Sequence, residues 1–224
     1  MARSRRNRSA SGRAALWAVL SGPGLLGVAH AAQTTCDDPQ IEIQADQPAD
    51  IDIRNNKAVL RNVVITQCDK RIEAGEARVT GGIDFDNARW TFSGNVRIKV
   101  EGGSLSSDRA DVSFRDKLIA RATITGEPAE FVQPRDDGST SRGHAKTIEY
   151  ETANGTVSFR DDAWLSDGCN EISGQALTYN IRAQRVEGQK NAAKQSGNGR
   201  IIIKIQPNSE PGTPCARGTQ DSKP

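Results

Sequence analysis

Hydrophobic and polar residues alternate along most of this chain, and the alternation comes in phrases that repeat. Asn95-Val96-Arg97-Ile98-Lys99-Val100 is followed by Leu105-Ser106-Ser107-Asp108. Upstream, Asn62-Val63-Val64-Ile65-Thr66-Gln67 leads to Ile72-Glu73-Ala74 and then Ala77-Arg78-Val79. Downstream, Ala163-Trp164-Leu165-Ser166 leads to Ile172-Ser173-Gly174 and then Leu177-Thr178-Tyr179. Val63 to Ile72, Val96 to Leu105 and Ala163 to Ile172 are equal steps. Each phrase reads as a strand, a turn and a second strand, a unit too small to bury its own apolar face. The pattern therefore predicts an elongated stack of hairpins.

Period-two alternation also runs through Ile41 and Ile43, Ile51 and Ile53, Val112 and Phe114, Ile148 and Tyr150, and Val157 and Phe159. The residues between them are polar or charged, among them Asp52, Arg97, Lys99, Ser113, Glu149 and Ser158, as expected of strands with one wet face. The apolar positions then share one interior. No long segment has helical periodicity. Turn chemistry falls where the strands stop, at Asn55-Asn56, Gly81-Gly82, Gly102-Gly103, Asp136-Asp137-Gly138, Asn154-Gly155 and Asp167-Gly168. Asn154-Gly155 carries the strongest hairpin signal. A slip of one residue there would turn Glu149 and Glu151 inward, so register is well specified.

The two ends break the pattern. Arg3, Arg5, Arg6, Arg8 and Arg13 precede an apolar stretch from Ala14 to Val28 and a small-residue site at Ala29-His30-Ala31, which reads as a signal peptide over residues 1–31. The stretch contains Ser21, Gly22, Pro23 and Gly24 and is shorter than the ~20 residues of a spanning helix. The strand domain is expected over 32–206. Lys190 to Arg200 reads as a flexible connection before the strand-prone Ile201-Ile202-Ile203-Lys204-Ile205, and Pro207 to Pro224 as a disordered tail.

Composition narrows the partners. Aromatic residues make up only 4% of the chain, which suits a thin structure with a narrow interior better than a compact sandwich. Much of the positive charge lies in the leader, so the exported chain is mildly acidic and lacks the clustered basic face that nucleic acid requires. Cys36, Cys68, Cys169 and Cys215 all lie in the exported part, where an oxidising compartment favours disulfides. Three pairings are open. Cys68 and Cys169 occupy comparable turns of different units, which favours Cys36 with Cys68 and Cys169 with Cys215. No short Cys-x-x-Cys spacing exists, and His144 is the one histidine beyond the leader, so no metal site is expected.

Catalytic chemistry is absent from the pattern. Asp136-Asp137 and Asp161-Asp162 read as solvated turn acids rather than a paired acid and base. His144 lies in Arg142-Gly143-His144-Ala145 with no marked nucleophile beside it. No phosphate-cradling glycine loop occurs, and no cofactor is implied. What remains are an apolar interior and two terminal strands. Ile41 and Ile43 at one end, and Ile201, Ile203 and Ile205 at the other, are strand-forming and unguarded, suited to joining another subunit by strand addition.

The segment Ser141-Arg142-Gly143-His144-Ala145 with Ile148-Glu149-Tyr150, Val157-Ser158-Phe159, Ala163-Trp164-Leu165 and Ile172-Ser173-Gly174-Gln175-Ala176-Leu177-Thr178-Tyr179 resembles the OstA/LptA family of periplasmic lipopolysaccharide transport proteins. The likeness runs from about Ile41 to Pro207, including Ile43-Gln44-Ala45-Asp46 and Ile201 to Pro207. It implies an all-β fold, an elongated β-jellyroll of stacked antiparallel strands open at both ends. It further implies a non-enzymatic role in the periplasm, sheltering the acyl chains of lipopolysaccharide. Copies would join head to tail between an LptC-like inner-membrane partner and an LptD-like outer-membrane partner. Under this reading the lipid-binding interior comprises Ile43, Ile53, Val63, Ile65, Ile72, Val96, Ile98, Val100, Leu105, Val112, Phe114, Ile148, Tyr150, Phe159, Ile172, Leu177 and Tyr179. The four cysteines, the polar tail and a Gly81 to Trp90 insertion depart from the family pattern. Alternatives are an LptC-like membrane-anchored component, a ligand-free structural β-solenoid, and a β-helix enzyme such as a polysaccharide lyase. The last of these needs a cleft of acidic and basic residues that the pattern does not offer.

Overall fold

The computed structural model describes residues 40–80, 82, 85–136, 138–188 and 200–206, apart from the side chains of Pro48 and Thr80. The leader, Cys36, Cys215 and the C-terminal tail lie outside them, as do residues 190–199 of the expected connection. The strands are β1 (Glu42–Asp52), β2 (Lys57–Gln67), β3 (Lys70–Thr80), β4 (Arg89–Val100), β5 (Gly103–Arg115), β6 (Leu118–Pro134), β7 (Thr140–Glu151), β8 (Thr156–Ser166), β9 (Glu171–Asn180), β10 (Arg185–Gly188) and β11 (Ile202–Lys204). They form one antiparallel 11-stranded sheet in chain order from β1 to β10, while β11 pairs with the other end of β9's outer edge. The sheet is unclosed, since β1 and β10 do not meet.

The equal steps in the sequence are equivalent hairpins. Val63 faces Ala74, Val96 faces Ser107, and Ala163 faces Gly174 across their respective ladders. A fourth member, Ala129 in β6, stands between the second and third, and all four leading residues are buried. It escapes notice in the sequence because Gly126-Glu127-Pro128 interrupts the alternation before it. Just ahead of each leading residue the chain carries extra length. Ladder register shifts at Ser93/Val96, Thr125/Ala129 and Arg160/Ala163. Asn62 (φ 46°), Gly94 (79°), Asn95 (50°), Asp161 (62°) and Asp162 (60°) adopt the left-handed region there. Asn, Asp and Gly tolerate that conformation best, and the bulges they form bend the strands. Asp161 and Asp162, expected on a turn, are bulge residues within β8.

Bending at mid-strand folds the sheet's apolar face onto itself. One wall is built from the strand halves that carry Ile65, Ile72, Ile98 and Leu105, and the other from the halves that carry Trp90, Val112, Tyr150 and Phe159. Contacts between sequence-distant residues of the two walls fix this. Phe131 meets Phe159 edge-on at 6.0 Å, and Gln67 Nε2 donates to the carbonyl of Lys117 at 2.6 Å. The buried apolar residues form one continuous cluster. The result is the β-jellyroll expected, all-β among the described residues.

Three local expectations are corrected. Ile43 and Ile53 do not lie in the interior: Ile43 is 37% exposed and Ile53 is 78% exposed. Ile43 belongs to β1 and Ile53 to the turn after it, and β1 is the sheet's first strand, with no further strand beyond it to cover its side chains. The supposed insertion from Gly81 to Trp90 is partly core, because Arg89 and Trp90 already belong to β4 and Phe85 and Ala88 are buried. Phe85 stacks on Trp90 at 4.8 Å, adding aromatic packing that a low overall aromatic content conceals.

Asn154-Gly155 forms the β7–β8 turn as expected, with Gly155 at φ 59°. The β5–β6 turn, Asp116-Lys117, has both residues at positive φ (51° and 61°) and carried no glycine signal. The turn between β8 and β9 is organised by Asp167, whose carboxylate accepts from the backbone N–H of Cys169 (2.9 Å) and Asn170 (2.7 Å) and from Asn170 Nδ2 (3.1 Å). Partial burial raises its pKa, but these hydrogen bonds outweigh burial and hold the carboxyl below its ordinary 3.8. Its charged form is thus favoured in the folded state, so its contribution to stability is complete above the unfolded value and is lost as pH falls through the lowered one. Asp167→Ala should lower stability at pH 7 by up to about 1 kcal/mol. Urea melts at a series of pH values should show the gap to wild type closing below pH 3.8.

Candidate functional site

Register places the apolar residues in transverse rows. The row on the first wall reads Ile43, Ile65, Ile72, Ile98, Leu105, Phe131, Gly143, Leu165, Ile172, Ile203, one residue from each strand from β1 to β9 and then β11. Its facing counterpart reads Ile51, Ala58, Val79, Trp90, Val112, Ala122, Tyr150, Val157, Tyr179, Val186, from β1 to β10. The first is nearly uniform in Ile and Leu. The second alternates large aromatic residues with Ala and Val, as interlocking packing requires.

Fourteen of the residues assigned to the interior from sequence are buried: Val63, Ile65, Ile72, Val96, Ile98, Val100, Leu105, Val112, Phe114, Ile148, Tyr150, Phe159, Leu177 and Tyr179. Ile172 is partly buried against the same cluster. Sequence reasoning missed Trp90, Phe92, Ile124 and Phe131, all buried on the same face. Trp90-Thr91-Phe92 does alternate, and that signal was hidden by its place in an apparent insertion. Ile124 and Phe131 flank the bulge of β6, where the period-two count is lost.

The interior is filled by its own side chains. A void beside Ile65, Ile72, Phe114 and Ile119 amounts to ≈ 10 Å³, about what one water needs. At Gly143 the Ile/Leu row has a gap, and the ring of Phe159 from the opposite wall occupies it. A Cβ at Gly143 would stand 2.6 Å from Phe159 Cε1, 2.8 Å from Cζ and 3.1 Å from Leu165 Cδ1. Phe131 and Tyr179 close around the same point, their ring centroids 5.9 Å apart.

Opposite the bends, strand ends of the two walls meet along a seam. Side-chain hydrogen bonds cross it. Gln67 Nε2 donates to the Lys117 carbonyl, Tyr179 Oη donates to Gln133 Oε1 at 2.7 Å, Arg135 Nη2 donates to Gln184 Oε1 at 3.1 Å, and Arg182 Nη2 pairs with Glu101 Oε2 at 3.1 Å. The bends, by contrast, are continuous backbone. Parting of the walls is therefore easiest at the seam, where no ladder has to break.

Both ends leave inner-face isoleucines uncovered, and at the start these include Ile43 (37% exposed) at the head of the Ile/Leu row. At the start, Ile51 (54% exposed) extends the Trp90 row. At the finish, Ile203 (62% exposed) extends the Ile/Leu row, accompanied by exposed Ile201, Ile202 and Ile205. Ile41 is partly buried. Cys68 and Cys169 are each disulfide-bonded. His144 lies on the outer face of β7, stacked on Trp164 at 4.9 Å, while Asp162 pairs with Lys146 and Asp161 accepts from Gln175.

A single bent sheet with an apolar inner face and two uncovered ends defines an unclosed β-jellyroll. Sequence comparison shows which proteins it is similar to. The family described as "LptA/(LptD N-terminal domain) LPS transport protein" matches residues 80–185. Among curated proteins, the lipopolysaccharide export system protein LptA of Escherichia coli K12 is 27% identical over 115 residues, covering 50% of this chain and 62% of that protein. The chain thus spans less than two thirds of that relative's length. LptA of Haemophilus influenzae Rd is 23% identical over 124 residues, covering 54% of this chain and 68% of that protein. Among solved structures, a crystal structure of LptH of Pseudomonas aeruginosa, the LptA-homologous periplasmic component of the lipopolysaccharide transport device, is 23% identical. It covers 75% of this chain and 96% of its own, with a TM-score of 0.41. Over residues 80–185 the chain is thus similar to the LptA family of lipopolysaccharide transport proteins.

If Phe159 fills the place of a side chain at Gly143, adding one there must displace the ring. Gly143→Ala should destabilise the protein by about 1–3 kcal/mol in urea denaturation. The double variant with Phe159→Leu should recover a substantial part of that loss.

Proposed function

We propose that this protein carries lipopolysaccharide across the periplasm, taking the acyl chains between its two walls while the sugar portion stays outside. The observation that supports it is the unbroken transverse order of the rows. From β1 to β11 every step along the first wall is Ile, Leu or Phe, except Gly143, where Phe159 fills the gap. Each buried CH₂ is worth about 0.8 kcal/mol, so a multi-acylated lipid needs such shelter throughout its passage. Branched aliphatic side chains hold an acyl chain without fixing its orientation, and equivalent rungs offer no deep trap. Because the resting interior is full, lipid enters by parting the seam, where Arg182–Glu101 and Tyr179–Gln133 are the restraints.

The uncovered ends suit head-to-tail assembly. One copy exposes Ile43 and Ile51 along its first strand, and the next exposes Ile201, Ile203 and Ile205 along its last, so an apolar edge at one end can cover an apolar edge at the other. The same ends would receive an LptC-like partner at the inner membrane and an LptD-like partner at the outer one. Residues 1–31 act as the signal peptide, 32–206 as the carrier domain and 207–224 as a tail. Cys36–Cys68 and Cys169–Cys215 are the disulfides that fit this reading. The role is non-enzymatic.

A second reading, a ligand-free structural β-solenoid, draws on the filled interior. The two are separated by a photo-crosslinking residue. Placed at Ile98, which faces inward, it should capture lipopolysaccharide, and placed at Arg97 or Lys99, which face outward, it should not. Equal labelling at inward and outward positions would refute the carrier reading. Ile203→Lys should weaken self-association roughly tenfold, a cost of about 1.4 kcal/mol, in sedimentation equilibrium. Unchanged association would remove β11 from the joining surface.

A further inference from the structure

Two polar atoms on the Trp90 wall have no partner. The indole Nε1 of Trp90 and the hydroxyl of Tyr150 are both buried and make no hydrogen bond, in side chains that are 0% and 1% exposed. Buried Trp N–H and Tyr O–H groups ordinarily find an acceptor, and leaving one without is costly. The neighbours explain why neither is served. Trp90 is enclosed by the rings of Phe85, Phe92 and Phe114, none of which offers an oxygen. Tyr150 has Thr152 near it, whose hydroxyl donates to the Ile119 carbonyl at 2.7 Å and keeps acceptor capacity, but the two hydroxyls do not reach hydrogen-bond geometry. Burial raises the Tyr150 pKa, so the phenol keeps its proton and remains a donor.

Both residues belong to the same transverse row. Val112 and Ala122 separate them, giving a shallow stretch of wall with a donor at each end. Three strand steps at about 4.8 Å set the two donors roughly 14 Å apart, too far to share one acceptor. A plain hydrocarbon chain would cover this stretch and leave both donors unsatisfied. A chain that carries oxygen would satisfy them.

Resting on the carrier reading above, we propose that Trp90 Nε1 and Tyr150 Oη are hydrogen-bond donors for the carbonyl or hydroxyl oxygens of acyl chains held between the walls. They give an otherwise greasy interior a preference for oxygen-bearing acyl groups over bare alkyl chains. They also mark where along the interior the polar end of a chain pauses.

The test uses the exported chain with its disulfides intact, the variants Trp90→Phe and Tyr150→Phe, and two micelle-free probes. One is monomyristoylglycerol, with an ester carbonyl, and the other its tetradecyl ether analogue, which has CH₂ in that place. Wild type should bind the ester roughly fivefold more tightly than the ether, the worth of about 1 kcal/mol for one net hydrogen bond. Each variant should lose the preference, read within that variant as an ester-to-ether affinity ratio close to one. Tyr150→Phe should be at least as stable as wild type to urea, since it removes an unsatisfied polar atom with little change of volume, and stability is read in this variant alone because Trp90→Phe also empties part of the wall. A preference retained in both variants would overturn the proposal. So would a loss of stability with binding unchanged, which would mean that the donors serve buried water. If wild type binds ester and ether equally, the interior takes lipid but the donors do not select it, and the proposal alone fails. If wild type binds neither probe and captures no lipopolysaccharide at Ile98, the carrier reading fails with it.

Discussion

A sheet with one apolar face is unstable until that face is covered, and everything else in this molecule follows from covering it with itself. No helix or second sheet does so among the described residues. Instead, extra residues at Gly94-Asn95, Gly126 to Pro128 and Asp161-Asp162 bend the strands at mid-length, and the halves close on one another. Asn62 marks the same place in β2. Because the bends recur once per hairpin, they align into a single fold line. The interior then extends with each added hairpin at constant width, which a compact core cannot do.

Self-covering has a cost at each end of the sheet. A strand in the middle is covered by the opposite wall and flanked by neighbours, whereas β1 and β11 have no neighbour on one side. The exposed isoleucines there are the inner-face residues of the rows, continued past the last strand that is covered. The geometry that folds the apolar face onto itself therefore also leaves an apolar edge at each end of the sheet. The polar outer face, with pairs such as Arg121–Glu151 and Lys146–Asp162, keeps the molecule in water and contributes little else.

Much of this was legible in sequence because the strand period is two and each hairpin repeats. The alternation of Val63 and Ile65, Val96 and Ile98, and Val157 and Phe159 assigns those residues to the inner face without reference to structure. Three things were not legible. The Ala129 repeat was hidden by a bulge two residues long, since period counting fails wherever the chain gains length. Ile43 and Ile53 alternate as well as any core residue, and only their place beside the sheet's edge exposes them. The third is the match between walls. Nothing local links Gln67 to Lys117 or Gly143 to Phe159, because those contacts depend on the angle of the bend, and that angle is a sum over every bulge.

The central claim is that a filled interior admits acyl chains by parting along the seam. Nitroxide labels on unnatural residues at Asp69 and Asp116, exposed positions on turns of opposite walls, leave the native cysteines untouched. Pulsed dipolar spectroscopy then reads their separation with and without lipopolysaccharide. A shift to longer distances on lipid binding is the predicted result. A distance distribution unchanged while lipid is demonstrably bound would contradict the account.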